Sequence, residues 1–153
     1  MAAERGRRGT RSPGGGPTTH SLLTQIAGDT VLREATEDDH PSLLALEGMA
    51  PHAGASLIQA RANFFAHTDA YPVSQVLVAE REDAVIGVEC LSLTEVRVGG
   101  VSCRAGYAFN TRVQPGLQRR GLGPALLTAA EQWAQAQGAG YLTGSSRSPT
   151  SRR

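Results

Sequence analysis

The chain has 153 residues, 40% of them hydrophobic, which suits one domain with a core and does not comfortably suit two. Its formal net charge is only +1 and every basic residue is arginine. A strong overall field toward nucleic acid or anionic membrane is therefore excluded, and so are a Schiff-base lysine and a P-loop lysine. The two cysteines, Cys90 and Cys103, do not cluster with the four histidines, which argues against a structural zinc site. Reduced thiols in a cytoplasm-like compartment are the expectation, ahead of a disulfide.

Residues 1–28 are rich in Arg, Ser and Gly, with Glu4 the only acid before Asp29. They contain no apolar stretch that would serve as a signal-peptide core, and no run in the chain approaches the roughly 20 residues of a membrane span. The composition predicts a disordered tail. It also resembles that of an organellar import segment, although Pro13, Pro17 and the run Gly14, Gly15, Gly16 would spoil an amphipathic helix. Order is expected from Asp29. Residues 30–35 alternate Val31 against Arg33 and read as a strand. Thr36 with Asp39 three residues on resembles a capping box, opening a helix that tolerates Pro41 early and carries Leu43, Leu44 and Glu47.

Residues 54–70 read as a second helix, with Leu57, Ala60, Phe64 and His67 on one face. A hairpin follows: residues 76–80 and 85–96 are rich in β-branched and apolar residues, with Arg81, Glu82 and Asp83 at its tip. Residues 97–106 contain Gly99 and Gly100 and read as a loop or strand-end turn. Residues 107–113 favour a further strand. A helix is expected from Pro124 to about Gln137, ended by Gly138 and Gly140, and one more strand over residues 141–146. Residues 147–153 read as a disordered tail. Trp133 and the pair Phe64 and Phe65 are expected in the core.

The order strand, glycine loop, helix is chemically suggestive. A first helical turn has free N–H groups and partial positive charge, and glycines let a phosphate approach that backbone. Residues 117–123, with Arg119 and Arg120 beside Gly121 and Gly123, would cradle a diphosphate; a plain strand–helix connection is the alternative. The full Rossmann spacing is absent, because Leu126 stands where its third glycine would be, and the P-loop fails for want of lysine.

The stretch Val-Gln-Pro-Gly-Leu-Gln-Arg-Arg-Gly-Leu-Gly-Pro from Val113 to Pro124 closely resembles motif A of the GCN5-related N-acetyltransferase (GNAT) family, with Val113, Pro115, Gln118, Gly121 and Gly123 filling the pattern. Residues 32–46 resemble the family's first strand and helix, and residues 76–92 its second and third strands, with Gly87 at a frequent glycine position. The resemblance covers about residues 31–146. It implies an α/β fold with a mixed, mostly antiparallel sheet flanked by helices, as a single domain over residues 29–146. It implies acetyl-coenzyme A as co-substrate, no metal, and an amine-bearing acceptor of unknown identity, either a small molecule or a protein. Neither nucleic acid nor membrane is expected as a partner, a homodimer is compatible with the chain, and the compartment reads as cytoplasmic unless the Arg-rich N-terminus directs import.

Residue by residue, the resemblance implies that Thr111, Arg112 and Val113 present backbone groups to the pantetheine arm. Gln118, Arg119, Arg120, Gly121, Leu122, Gly123 and Pro124 would wrap the pyrophosphate, and a backbone N–H near Val113 would meet the acetyl carbonyl. Arg119 or Arg120 would supply a rim charge. A glutamate that some members carry on the fourth strand corresponds to Tyr107 here, so the catalytic base is unassigned. Glu89 and Glu95 are the nearest substitutes, and both read as solvated outer-face charges; Cys90 and Cys103 read as small apolar filler. The family's closing helix and hairpin have no counterpart after residue 146, so a shortened product with an exposed strand edge is expected. Three readings follow. The first is an N-acetyltransferase acting by direct attack. The second is a catalytically impaired product that binds coenzyme A or another chain. The third and weakest is a nucleic-acid binder working through its Arg-rich ends.

Overall fold

The β-branched and apolar runs of the sequence become the strands of one sheet, and the two segments with helical spacing cover its two faces. A computed structural model describes residues 22–26, 29–49 and 62–144. In chain order the elements are β1 (Leu22–Ile26), β2 (Thr30–Glu34), a 3-10 turn (Glu37–Asp39), α1 (His40–Met49), a second 3-10 turn (Phe64–His67), β3 (Val73–Arg81), β4 (Ala84–Val98), β5 (Val101–Val113), α2 (Leu122–Ala136) and β6 (Tyr141–Gly144). The strands lie in sequence order, all neighbours antiparallel except the parallel pair of β5 with β6. The expected α/β fold with a mixed, mostly antiparallel sheet is thus the observed one.

The entry into α1 follows the capping box. The Thr36 N–H donates to Asp39 Oδ2 at 2.8 Å, and the Asp39 N–H returns to the Thr36 carbonyl at 3.0 Å. The same Asp39 carboxylate takes a two-pronged contact from Arg33 of β2, at 2.7 and 2.8 Å, while Arg33 also binds Glu80 of β3. Three segments are locked by one guanidinium, which holds the Asp39 carboxyl below the usual carboxylate range.

Each face has its own core. On the α2 face, Leu32, Leu77, Ala79, Ile86, Leu91 and Ala108 pack against Leu122, Leu126, Ala129 and Ala130 of the helix, with Trp133 partly buried beside them. On the α1 face, Leu43 and Leu46 pack with Phe64, Phe65, Val76, Val78, Val88, Cys90 and Phe109. The expected core positions of the aromatic pair and of Trp133 are therefore occupied, and Cys90 is buried filler, although Cys103 is only half-buried.

Several expectations need correction. A strand, β1, lies inside the stretch read as tail and pairs antiparallel with β2. Over residues 54–70 only 62–70 are described, and they form one short 3-10 turn with Phe64 and Phe65 both buried; Leu57 and Ala60 lie outside the described residues. Over residues 97–106 the strand-end turn holds and the loop does not, the turn being confined to Gly99 and Gly100. Gly99 and Gly100 form a tight turn with φ of +58° and +85°, and both strands of the hairpin continue to it, pairing Val98 with Val101 and Arg97 with Ser102. The helix α2 starts two residues before Pro124, at Leu122. Residues 145–153 lie outside the described residues, as do 1–21.

Candidate functional site

The register between β4 and β5 breaks at one place. Val88 pairs with Arg112 and Cys90 with Phe109, so Asn110 and Thr111 together stand opposite Glu89. This is a β-bulge, with Asn110 in the left-handed region at φ +55°. The bulge matters because of what lies on the other side of β5. Strand β6 pairs only with residues Ala105, Gly106, Tyr107 and Ala108. Among the described residues, nothing pairs with the outer edge of β5 from Phe109 to Val113. The strand leaves the sheet with a row of backbone groups open on that side.

That open edge leads straight to the glycine loop. Val113 packs its side chain against the α2-face core, and its carbonyl accepts from Gln118 Nε2 at 3.3 Å, which folds the loop back on the strand end. The turn is tightened by the Leu117 N–H donating to the Gln114 carbonyl at 3.0 Å. Gly121 then caps the helix in the left-handed region at φ +83°, a conformation that a side chain would strain. A Cβ built on Gly121 or on Gly123 meets no atom within 4 Å, so the space before the helix is open. The first helical bond runs from the Ala125 N–H to the Gly121 carbonyl, 3.1 Å, which leaves the N–H groups of Leu122 and Gly123 ahead of it, and Pro124 has none. Leu122 anchors this turn in the core at 7% exposed.

The loop's shape fits an anion at a helix N-terminus: open backbone donors, a positive dipole end and no carboxylate side chain between Val113 and Pro124. Arg119 and Arg120 are both exposed, Arg119 with a left-handed backbone at φ +61°. Arg112, in contrast, turns its side chain to the α1 face, where it is 9% exposed, donates to Asn110 Oδ1 at 3.0 Å and lies 3.8 Å from Glu47 of α1. Its backbone lies opposite Val88 in the β4–β5 ladder. The helix that carries the site sits unusually close to the sheet. A Cβ on Gly106 would stand 2.9 Å from a methyl of Leu142 and 3.1 Å from Ala134, so glycine permits the approach of α2 to β5.

The two candidate glutamates have opposite environments. Glu95 is exposed in the hairpin arm, beside Ser102 and Arg104 at 3.2 and 3.3 Å, as a solvated charge should be. Glu89 is not solvated: it is 1% exposed, which corrects the outer-face reading. Its pairing partner on β3 is Leu77, a member of the α2-face core, so its carboxyl lies on that face. Thr111 Oγ1 donates to Glu89 Oε1 at 2.9 Å, while Oε2 has no partner. Burial pushes the carboxyl up to about 7, against the opposing pull of the threonine hydrogen bond. The sequence signal for this was present but unused. Glu89 sits inside the run Val-Ile-Gly-Val-Glu-Cys-Leu, too continuous to be a strand with a wet face.

Tyr107 stacks on Phe109 at 5.2 Å within an aromatic group that includes His67 and Tyr71. A cavity of about 340 Å³ lies elsewhere on the α1 face, between the ends of β2 and β3, with Glu37, Asp69 and Ser74 on its walls. No group of three or more His, Cys, Asp or Glu among the described residues is arranged to hold a metal.

Comparison with known proteins gives the same outline. The model of the acetyltransferase (GNAT) family matches residues 32–149. No curated protein matches the sequence significantly. Among solved structures, an acetyltransferase of Trypanosoma brucei superposes with a TM-score of 0.60 at 22% identity, covering 78% of this chain and 84% of that one. Glucosamine-6-phosphate N-acetyltransferase of Arabidopsis thaliana gives 0.61 at 12% identity, covering 78% and 84%. An aminoglycoside acetyltransferase from an uncultured soil metagenomic sample gives 0.61 at 19% identity, covering 80% and 81%. At such identities the structures establish the fold alone, and it is the family match over most of the chain that settles membership. With its bulged strand, open edge and glycine-capped helix, the chain belongs to the GNAT acetyltransferase family.

Proposed function

We propose that the chain is an acetyl-coenzyme A-dependent N-acetyltransferase that passes the acetyl group to a primary amine by direct attack. The observation that carries this reading is the continuity of two sets of backbone donors. The edge of β5 left open beyond Ala108 runs into the unobstructed N-terminus of α2. Thr111, Arg112 and Val113 would hold the pantetheine arm through main-chain groups. Gln118, Arg119, Arg120, Gly121, Leu122, Gly123 and Pro124 would hold the pyrophosphate, with Leu122 and Gly123 offering N–H groups and the two arginines rim charge. Acetyl-coenzyme A would supply the activated acyl group; the protein supplies binding and orientation and accepts a proton. Support for an amine acceptor comes from the resemblance to enzymes named for acetylating glucosamine-6-phosphate and aminoglycosides.

Calorimetric titration of acetyl-coenzyme A into the full chain tests the reading. Binding is expected, with at least a tenfold loss on replacing Gly121 and Gly123 together by Asp, which fills the open space with negative charge. Absence of heat at millimolar ligand, or equal binding by that variant, would overturn it.

A further inference from the structure

Glu89 places a carboxyl in the middle of the α2-face core, 1% exposed, where an apolar residue would pack without cost. Its cross-strand partner on β3 is the apolar Leu77, its same-face neighbours two residues away along β4 are Gly87 and Leu91, and Leu126 of α2 lies over Gly87. No neighbouring charge moves its ionisation; burial raises it and the Thr111 hydroxyl lowers it. The fourth side is the bulge. There the extra residue in β5 brings Thr111, itself exposed, to bridge the buried carboxyl and the open strand edge at 2.9 Å. The second carboxylate oxygen is buried and unpartnered. A hydroxyl that donates inward to a carboxylate still offers its lone pairs outward.

On the acetyltransferase reading above, we propose that Glu89 and Thr111 form one proton shuttle serving both halves of the acyl transfer. The amine nitrogen attacks the thioester carbonyl, so that a C–N bond forms as the C–S bond breaks. The proton released by nitrogen passes to Thr111 Oγ1 as that hydroxyl hands its own proton to Glu89. The reverse hop delivers a proton to the leaving sulfur. The products are an amide and a free thiol, and Glu89 returns to a carboxylate with no further reactant consumed. Thr111 is the group that meets substrate, and Glu89 acts through it.

The test uses the full chain, acetyl-coenzyme A and n-butylamine, read by thiol release across pH 5 to 9. Rates are expressed per free-base amine, because a primary alkylamine with a pKa of about 10.4 is almost wholly protonated over this range; so expressed, the rate is expected to rise with pH and level off above about 7 as Glu89 loses its proton. Glu89→Gln should flatten this profile and lower kcat by roughly 10²-fold. Thr111→Val should lower kcat similarly while changing the acetyl-coenzyme A Kd less than threefold, and Thr111→Ser should recover most of that loss. An activity-free readout accompanies these: carboxyl ¹³C titration of Glu89 in the unliganded protein should move to higher pH in Thr111→Val. Wild-type kinetics in Glu89→Gln, no catalysed aminolysis by protein that binds acetyl-coenzyme A, or an unmoved Glu89 titration in Thr111→Val would each overturn the shuttle. Failure to bind acetyl-coenzyme A would instead overturn the functional reading beneath it.

Discussion

The two faces of the sheet solve the same packing problem with different materials. The α1 face is filled by bulk: Phe64, Phe65, Phe109, Leu43 and Leu46, fastened at one end by the Arg33, Asp39 and Glu80 ion network. The α2 face is filled by proximity: Leu126 and Ala134 of the helix lie against Gly87 and Gly106 of the strands, Ala129 and Ala130 belong to the same face, and the Glu89 carboxyl is buried on it. The first arrangement is built to hold, the second to bring a helix N-terminus and a strand edge close together. The elements proposed to hold acetyl-coenzyme A belong to the second.

The largest expected effect tests the structural face. Phe64→Ala removes a ring that is 1% exposed and should cost about 3–5 kcal/mol of stability, measured by denaturant unfolding. It should leave the affinity of the folded fraction for acetyl-coenzyme A unchanged; a large affinity loss would break the division between the faces.

The faces should also answer pH with opposite signs. The Glu89 pKa is raised in the fold, so its favourable contribution is complete below its unfolded value of 4.5 and is lost as pH climbs through about 7. Relative to Glu89→Gln, the wild type should therefore lose about 3 kcal/mol between pH 4 and pH 8. Asp39 is depressed, so its contribution is present above its unfolded value of 3.8 and disappears as pH falls below it; Asp39→Asn should erase that acid-side loss. Paired pH-dependent unfolding curves of the two variants check both signs. A smaller effect is expected at the helix contact, where Gly106→Ala should cost about 1–3 kcal/mol through its collision with Leu142 and Ala134. Smallest of all, Glu95→Ala should change stability by less than about 0.5 kcal/mol, because its partner Arg104 is itself half exposed.

Much of this division was legible in the residues. The capping box at Thr36, the first hairpin, the glycine loop and the apolar stripe of α2 all declare themselves, because local hydrogen bonding and short-range periodicity decide them. What escaped depends on partners far along the chain. Gly99 and Gly100 read equally as a loop or as a strand-end turn, and it is the long β4–β5 ladder that selects the tight turn, with both glycines in the left-handed region. The strand β1 hides in a polar, glycine-rich neighbourhood and is defined by pairing with β2. Glu89 looked solvated because a charge usually is; only the coverage of β4 by cores on both faces makes it buried. The bulge that links it to Thr111 arises from the β4–β5 register, which no window of sequence contains. For the residues proposed to bind the cofactor, the fold adds geometry that the motif does not contain: the Arg112 side chain is turned to the α1 face, and Leu122 is anchored in the core.

Main-chain groups of the β5 edge and of the α2 entrance are proposed to hold acetyl-coenzyme A together. Amide chemical-shift mapping of the full chain during titration with acetyl-coenzyme A tests it most directly. Saturable shifts are expected at the N–H groups of Thr111, Arg112, Val113, Arg119, Arg120, Gly121, Leu122 and Gly123, with the amides of α1 and of the Phe64–His67 turn little changed. Shifts clustered on the α1 face, around Glu37, Asp69 and Ser74, with the loop unmoved, would contradict it.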